Sequence, residues 1–257
     1  MTKTMNSFLK KFLIFVIFSR ITLIVLPLLI QILFLPEKNY SWNYWDAPHY
    51  IYLAQEGYTN SGDPANFIVF LPLYPLVLSA FNFLKNPEMV GVITSLSFFL
   101  LACLVLSKLL RLSYPEKFVQ RFLILLAIFP TSYFFGAPYT ESLFLLLFAL
   151  SFYFFRKGSF TLSGISSGLA SLTRPFGILL VPSLFFGWFK NKNKKFWHLF
   201  SLFVPTLIAI GIYLYLNYQT YGNLLAFQKI LTENWQKKFE YPWVSLLDSW
   251  RIALTGG

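Results

Sequence analysis

Apolar residues run in long blocks along this chain, separated by short polar and basic clusters. Blocks near 20 residues are the pattern of membrane-crossing helices, not of a half-buried strand or an amphipathic surface helix. They predict spans at 12–35, 90–110, 119–136, 140–155, 159–173, 176–189 and 196–217. The predicted fold class is all-α, a polytopic transmembrane helical protein of about seven spans. The first block follows the basic MTKTMNSFLKK. It is too long for a signal peptide and has no small-residue cleavage site, so it reads as a retained helix.

One apolar stretch breaks the scheme. FIVFLPLYPLVLSAFNFL, residues 67–84, is apolar enough for a helix but contains Pro72 and Pro75. Each proline removes a helical hydrogen bond. Counting this stretch as a span would also invert every later loop, so it is expected to be interfacial or re-entrant. A long first extracytoplasmic loop with interfacial helices, 36–89, results. Two of the spans, 159–173 and 176–189, are short and meet at Thr173-Arg174-Pro175. A 14-residue helix rises about 21 Å, against a hydrocarbon core of about 30 Å. Gly164 and Gly168 lie four apart beside Ser167 and Ser171, so one face is expected to pack closely on a neighbouring helix.

The charges supply the orientation. Lys3, Lys10 and Lys11 precede the first block; Lys108, Arg111, Lys117 and Arg121 join the second and third. Arg156 and Lys157 join the fourth and fifth, and Lys190, Lys192, Lys194 and Lys195 the sixth and seventh. Basic loops mark the inner side. The outer side then receives Glu37, Asp46, Glu56, Asp63, Glu88, Glu141, Glu233, Glu240 and Asp248, and only Glu116 falls inside. The net charge of +11 is thereby read as topology, with no nucleic-acid partner expected.

Composition sharpens the exclusion. Of 257 residues, 56% are apolar and 12% charged, where a globular protein has roughly a quarter charged. A cytosolic enzyme, a secreted disulfide scaffold and a disordered tail are excluded. Cys103, the single cysteine, has no partner for a disulfide or a CxxC site. No repeat, low-complexity tract or soluble domain divides residues 1–257, which read as one domain. The chain stops at Gly257 in a polar, Trp-rich outer segment, so C-terminal spans are expected to be missing.

Four features carry candidate chemistry. In Trp45-Asp46-Ala47-Pro48-His49-Tyr50, Asp46 and His49 are three apart and share a face if the segment is helical. A carboxylate walled by Trp42, Trp45 and Tyr50 suits a general base; the alternative is a helix cap, with His49 a surface residue. Too few ligands gather there for a metal. In Pro138-Tyr139-Thr140-Glu141-Ser142, Glu141 either caps the next helix or accepts sugar hydroxyls. Arg174 interrupts the inside-positive pattern and suits a lipid phosphate, which guanidinium binds bidentately. Its alternatives are an ion pair with Glu141 or Asp46, or snorkelling. Arg20, deep in the first block, is open in the same way. Lastly, Gln228 and Trp235, after Tyr221-Gly222-Asn223, either line a sugar site or belong to an interfacial aromatic belt. There is no DxD pair, GxGxxG or GxxxxGK[ST] to hold a nucleotide.

The stretches WDAPHYIYLAQEGY, FLPLYP, FPTSYFFGAPYTESLFLLL, GLASLTRPFG and YGNLLAFQKILTENW, in this order, resemble the PIG-V family. These are the GPI mannosyltransferase II-like members of the type-C (GT-C) membrane glycosyltransferases. The resemblance covers about 41–243. Leu71 stands where Phe is more usual, and Asn223-Leu224 where Asp-Pro is expected. The resemblance implies inverting transfer of mannose from a dolichyl- or polyprenyl-phosphate donor on the extracytoplasmic or lumenal face; no cofactor is expected, and no metal if Arg174 supplies the positive charge. It implies Asp46 as base. His49 would orient the acceptor or contact phosphate. Arg174 would hold donor phosphate, and Glu141, Tyr139, Thr140, Tyr50, Gln228 and Trp235 would contact donor phosphate or sugar. The acceptor would be lipid-linked or a protein. The location would be the plasma membrane of a prokaryote or the endoplasmic reticulum of a eukaryote. GPI-anchor synthesis itself does not follow. The rival expectations are a lipid or solute transporter using the same cavity, and a non-catalytic truncated relative.

Overall fold

The computed structural model describes residues 44–190, 195–235 and 241–255, with 8, 11, 12, 14–22, 29 and 32–34 of the N-terminal segment. Trp42, Glu37, Glu240, Lys3, Lys10, Lys192, Lys194 and parts of the expected 12–35 span lie outside the described residues. The fold is all-α, and no strand occurs among the described residues. Residues 14–22 are helical. Then follow α1 (Ala47–Glu56), a 3-10 turn (Asp63–Val69), α2 (Leu73–Ser79), α3 (Pro87–Leu110) and α4 (Glu116–Ile128). A second 3-10 turn (Pro130–Phe135) leads to α5 (Glu141–Arg156) and α6 (Phe160–Ser171). A third (Pro175–Leu179) leads to α7 (Leu180–Phe189), α8 (Phe196–Tyr221), α9 (Ala226–Glu233) and α10 (Pro242–Thr255).

Among the described residues two helices, α3 with 24 residues and α8 with 26, are long and apolar enough to cross a membrane. At 1.5 Å per residue each exceeds a hydrocarbon core of about 30 Å. Local sequence sets the limits of α3. Asn86 accepts from the Met89 amide at 3.0 Å, Pro87 occupies the first turn, and Lys108 lies in the last. The apolar blocks 140–155, 159–173 and 176–189 coincide with α5, with α6, and with the third 3-10 turn plus α7. Block 119–136 is not one helix. Pro130 offers no amide, Phe129 before it is extended at ψ 139°, and α4 ends at Ile128. Within 67–84 the longest α-helix is the seven-residue α2.

Close approach of backbones holds α5, α6 and α8 together. Ser151 Oγ donates to the Ser163 carbonyl at 3.1 Å, and Ser163 Oγ returns the bond to Ser151 at 2.8 Å. A Cβ on Gly164 would stand 2.0 Å from the Ser201 carbonyl oxygen, and one on Gly168 2.6 Å from that of Pro205. Pro205 sits inside α8 and lacks the amide that would bond Ser201, so the bared carbonyl is the one Gly164 covers. Thr206 Oγ1 meets Ser167 Oγ at 3.3 Å on the same seam. The small-residue face read from the sequence is therefore the α6–α8 contact. Along the outside of α8, Val204, Leu207, Ile208, Ile212 and Tyr215 are exposed.

Two buried or half-buried cations lie at opposite ends of α4. Arg20 is 2% exposed and lies 5.1 Å from the centre of the Phe99 ring. It donates from Nη1 to the Ser132 carbonyl and from Nη2 to that of Ala127, both at 2.7 Å. A cation at the C-terminal end of α4 satisfies carbonyls that the break at Pro130 leaves open. Arg20 is thus a structural clamp between the N-terminal helix and this break. Arg111 grips Glu116 through Nε at 2.8 Å and Nη2 at 3.0 Å. Hydrogen bonding from Arg111 holds the Glu116 carboxyl below its ordinary range.

Candidate functional site

Three sequence-distant segments meet in one cluster. The first is the N-terminal end of α1. Asp46 occupies the cap position, yet its side chain makes no capping hydrogen bond. The carboxylate is half-buried. Trp45 just before it has φ 49°, a left-handed conformation costing on the order of 1–3 kcal/mol for a bulky residue. Tyr139 holds this strained turn by donating from its hydroxyl to the Tyr44 carbonyl at 2.6 Å. Phe134 adds a ring contact with Trp45 at 6.1 Å.

The second segment is the start of α5. Thr140 is its N-cap residue, 2% exposed, and its hydroxyl does not cap the helix. Instead Thr140 Oγ1 accepts from Arg174 Nη1 at 3.3 Å and hydrogen-bonds the Tyr50 side chain. The third segment is the extended link at Arg174, with φ −146° and ψ 145°, between α6 and the third 3-10 turn. A Cβ on Gly177 would lie 2.3 Å from the Ser171 amide nitrogen. Only glycine lets that turn fold back onto the end of α6 and set the direction of the link. The Leu172 carbonyl beside it accepts the Leu73 amide at 3.0 Å, tying α2 to the same junction.

Arg174 pairs with Glu141 through Nη1 and Oε1. The other carboxylate oxygen, Oε2, is buried with no hydrogen-bond partner. Both the Glu141 and Thr140 contacts fall on Nη1, leaving the Nε and Nη2 edge of the fork outside them. Of the alternatives for Arg174, the structure contains the ion pair with Glu141. Asp46, Glu141 and Arg174 all act electrostatically on the Tyr50 hydroxyl. Burial, reinforced by both carboxylates, raises Tyr50, which therefore stays protonated. Burial first, then Asp46 and Glu141, pushes Tyr139 up to about 12.

His49 lies at the edge of the cluster in an aromatic enclosure. Its ring meets Phe67 edge-on at 4.4 Å, stacks on Phe70 at 4.9 Å and meets Trp235 edge-on at 5.7 Å. Nδ1 is buried and unpartnered. Burial lowers His49 below the ordinary imidazole value of 6.5, outweighing the opposing influence of Asp46. His49 is neutral at physiological pH and is not a plain surface residue.

The structure thus brings together Asp46, His49, Tyr50, Tyr139, Thr140, Glu141, Arg174 and Trp235. Thr140, Tyr139 and Tyr50 are 2%, 4% and 7% exposed, so they belong to the buried part of the cluster. Gln228 is exposed on α9, and no contact joins its side chain to the cluster among the described residues. Phe67 and Phe70 were not singled out by spacing. Their only signal is a place in an aromatic-rich loop ending in FLPLYP.

No protein-family model, curated protein or solved structure matches this chain.

Proposed function

We propose that the chain is a multi-pass membrane glycosyltransferase. It moves a hexose, mannose foremost, from a polyprenyl- or dolichyl-phosphate donor to a hydroxyl of a lipid-linked or protein acceptor. The reaction takes place on the extracytoplasmic face of a plasma or endoplasmic reticulum membrane. The observation that carries this reading is the convergence of Asp46, Glu141 and Arg174 on Tyr50 and Thr140 from three separate segments.

Asp46 takes the proton of the acceptor hydroxyl. The acceptor oxygen attacks the anomeric carbon from the face opposite the phosphate, and the C–O bond to phosphate breaks. The phosphate leaves with the electron pair and collects negative charge. Arg174 opposes that charge through the Nε and Nη2 edge that Glu141 leaves open. Glu141 aims the guanidinium and offers Oε2 to a sugar hydroxyl. Neutral His49 orients the acceptor. The net result is one glycosidic bond made, one sugar–phosphate bond broken and inversion at the anomeric carbon.

The test is sugar transfer in nanodiscs from radiolabelled polyprenyl-phosphate-mannose to a membrane lipid extract. Wild type and Asp46→Asn are compared. Product from wild type alone supports the enzyme and its base. Equal product from both removes Asp46 from the mechanism. Vesicle flux of the lipid-linked sugar with no product favours a transporter.

A further inference from the structure

We propose that Trp235 is a gate over His49. Its indole moves aside to let the His49 imidazole meet a hydroxyl of an incoming ligand. That a hydroxyl enters rests on the transferase reading; that Trp235 moves does not.

The motive for opening is the unpartnered nitrogen. A buried polar atom without a hydrogen bond costs about 1–3 kcal/mol, and His49 Nδ1 is such an atom. A ligand that supplies the missing bond is bound the more tightly for it. The enclosure has three aromatic walls, and they are not equally fixed. Phe67 and Phe70 belong to a loop whose carbonyls are held from several directions. The Tyr58 hydroxyl donates to Phe70 at 2.7 Å, the Tyr213 hydroxyl to Ile68 at 2.9 Å, and the Tyr221 hydroxyl to Ala65. Phe70 itself is 8% exposed.

Trp235 is held differently. It follows α9, a helix whose one buried residue is Ala226. Leu224 and Leu225 before it are exposed, and so is Gln228. The strap carrying Trp235 begins at Gly222, left-handed at φ 67°, and its base is tied to α8 where the Phe227 amide donates to Asn217 Oδ1 at 2.9 Å. At its far end, Trp235 Nε1 donates to the Asn66 carbonyl at 3.2 Å. A segment with little buried apolar surface opens at lower free energy than the core it rests on. Of the three walls, Trp235 is the one carried by the least buried segment.

Diethyl pyrocarbonate, which acylates accessible unprotonated imidazole, tests this directly. The chain has two histidines. His198, stacked on Phe160 at 4.0 Å, is the internal reference. The rate at His49 relative to His198 is read by mass spectrometry on the full chain in nanodiscs. Trp235→Ala is expected to raise the ratio severalfold. Trp235→Phe keeps a ring but loses the donor to Asn66, and is expected to give a smaller rise. Equal ratios in all three proteins overturn the gate. A rise in Trp235→Ala accompanied by maleimide labelling of buried Cys103 reports a loosened fold, and the decision then passes to Trp235→Phe: a rise there without labelling supports the gate, and the absence of such a rise overturns it. A protein that shows the rise but transfers no sugar keeps the gate and loses the transferase reading. Sugar transfer without the rise does the reverse.

Discussion

Arg174 and Glu141 are joined through one nitrogen and one oxygen, while the second carboxylate oxygen lies buried without a partner. The pair is therefore half-made. Arg174 keeps Nε and Nη2, and Glu141 keeps Oε2, outside the pairing. Arg174→Lys preserves the charge but not the planar fork. We expect it to fold and to lose about 10²-fold in turnover, the cost of removing a preorganised donor aimed at developing charge. Unchanged kcat in sugar transfer would take Arg174 out of the mechanism. Glu141→Gln should lower turnover as well, because Arg174 then loses the partner that aims it.

The α6–α8 seam gives a sharper test of packing. Gly164→Ala drives a methyl into the Ser201 carbonyl, 2.0 Å from the ideal Cβ position. Overpacking of this kind costs about 1–3 kcal/mol. Gly211, on α8, has nothing within 4 Å of its ideal Cβ. Gly211→Ala should be neutral or stabilising by up to about 1 kcal/mol, from helix propensity alone. Thermal unfolding of both variants in the same detergent decides it; similar midpoints for the two would refute the close-contact account.

Arg20 makes a prediction about stability without chemistry. Arg20→Met keeps an unbranched stem, shorter than arginine, and withdraws both donors from Ala127 and Ser132. Hydrogen bonds from a charged donor contribute about 1.5–3 kcal/mol each. A clear fall in melting temperature is expected, and a midpoint matching wild type would show the clamp to be idle.

The lowered pKa of His49 couples stability to pH. In the unfolded chain the ring binds its proton near the ordinary value of 6.5, and in the folded chain only at lower pH. Between these two values the unfolded state holds more protons, so stability falls as the pH falls through that window. Below the folded-state value the dependence levels off. His49→Phe should flatten the melting profile as the pH falls below the ordinary imidazole value of 6.5. Parallel profiles for variant and wild type would mean that other groups set the acid sensitivity.

How much of this was legible in the sequence differs from residue to residue. Gly164 and Gly168 could be read as a contact face because their spacing is local and glycine has one physical use there. The break at Thr173-Arg174-Pro175 was legible for the same reason. The end of α4 was not, although its cause, Pro130, stands in the sequence: the apolar run continues through Phe134 and Phe135, and hydropathy does not register a missing amide. Asp46, Glu141 and Arg174 could each be marked as candidates from their local surroundings. Which pair would form required the fold, since Glu141 and Asp46 were equal candidates for Arg174. His49 stood between an acceptor-orienting group and a surface residue, because its walls, Phe67, Phe70 and Trp235, are separated in sequence and nothing in their spacing joins them to it. Arg20 was likewise ambiguous, because backbone carbonyls as partners leave no trace in side-chain identity.

The bared Ser201 carbonyl bears on how the protein is put together. In an apolar environment a lone helix with Pro205 in its middle leaves an acceptor with neither water nor amide to meet it. Gly164 of α6 covers that acceptor, and α6 is itself bound to α5 by the reciprocal bonds of Ser151 and Ser163. The α5–α6 hairpin is synthesised before α8. The partner that covers the acceptor is thus made before the helix that carries it.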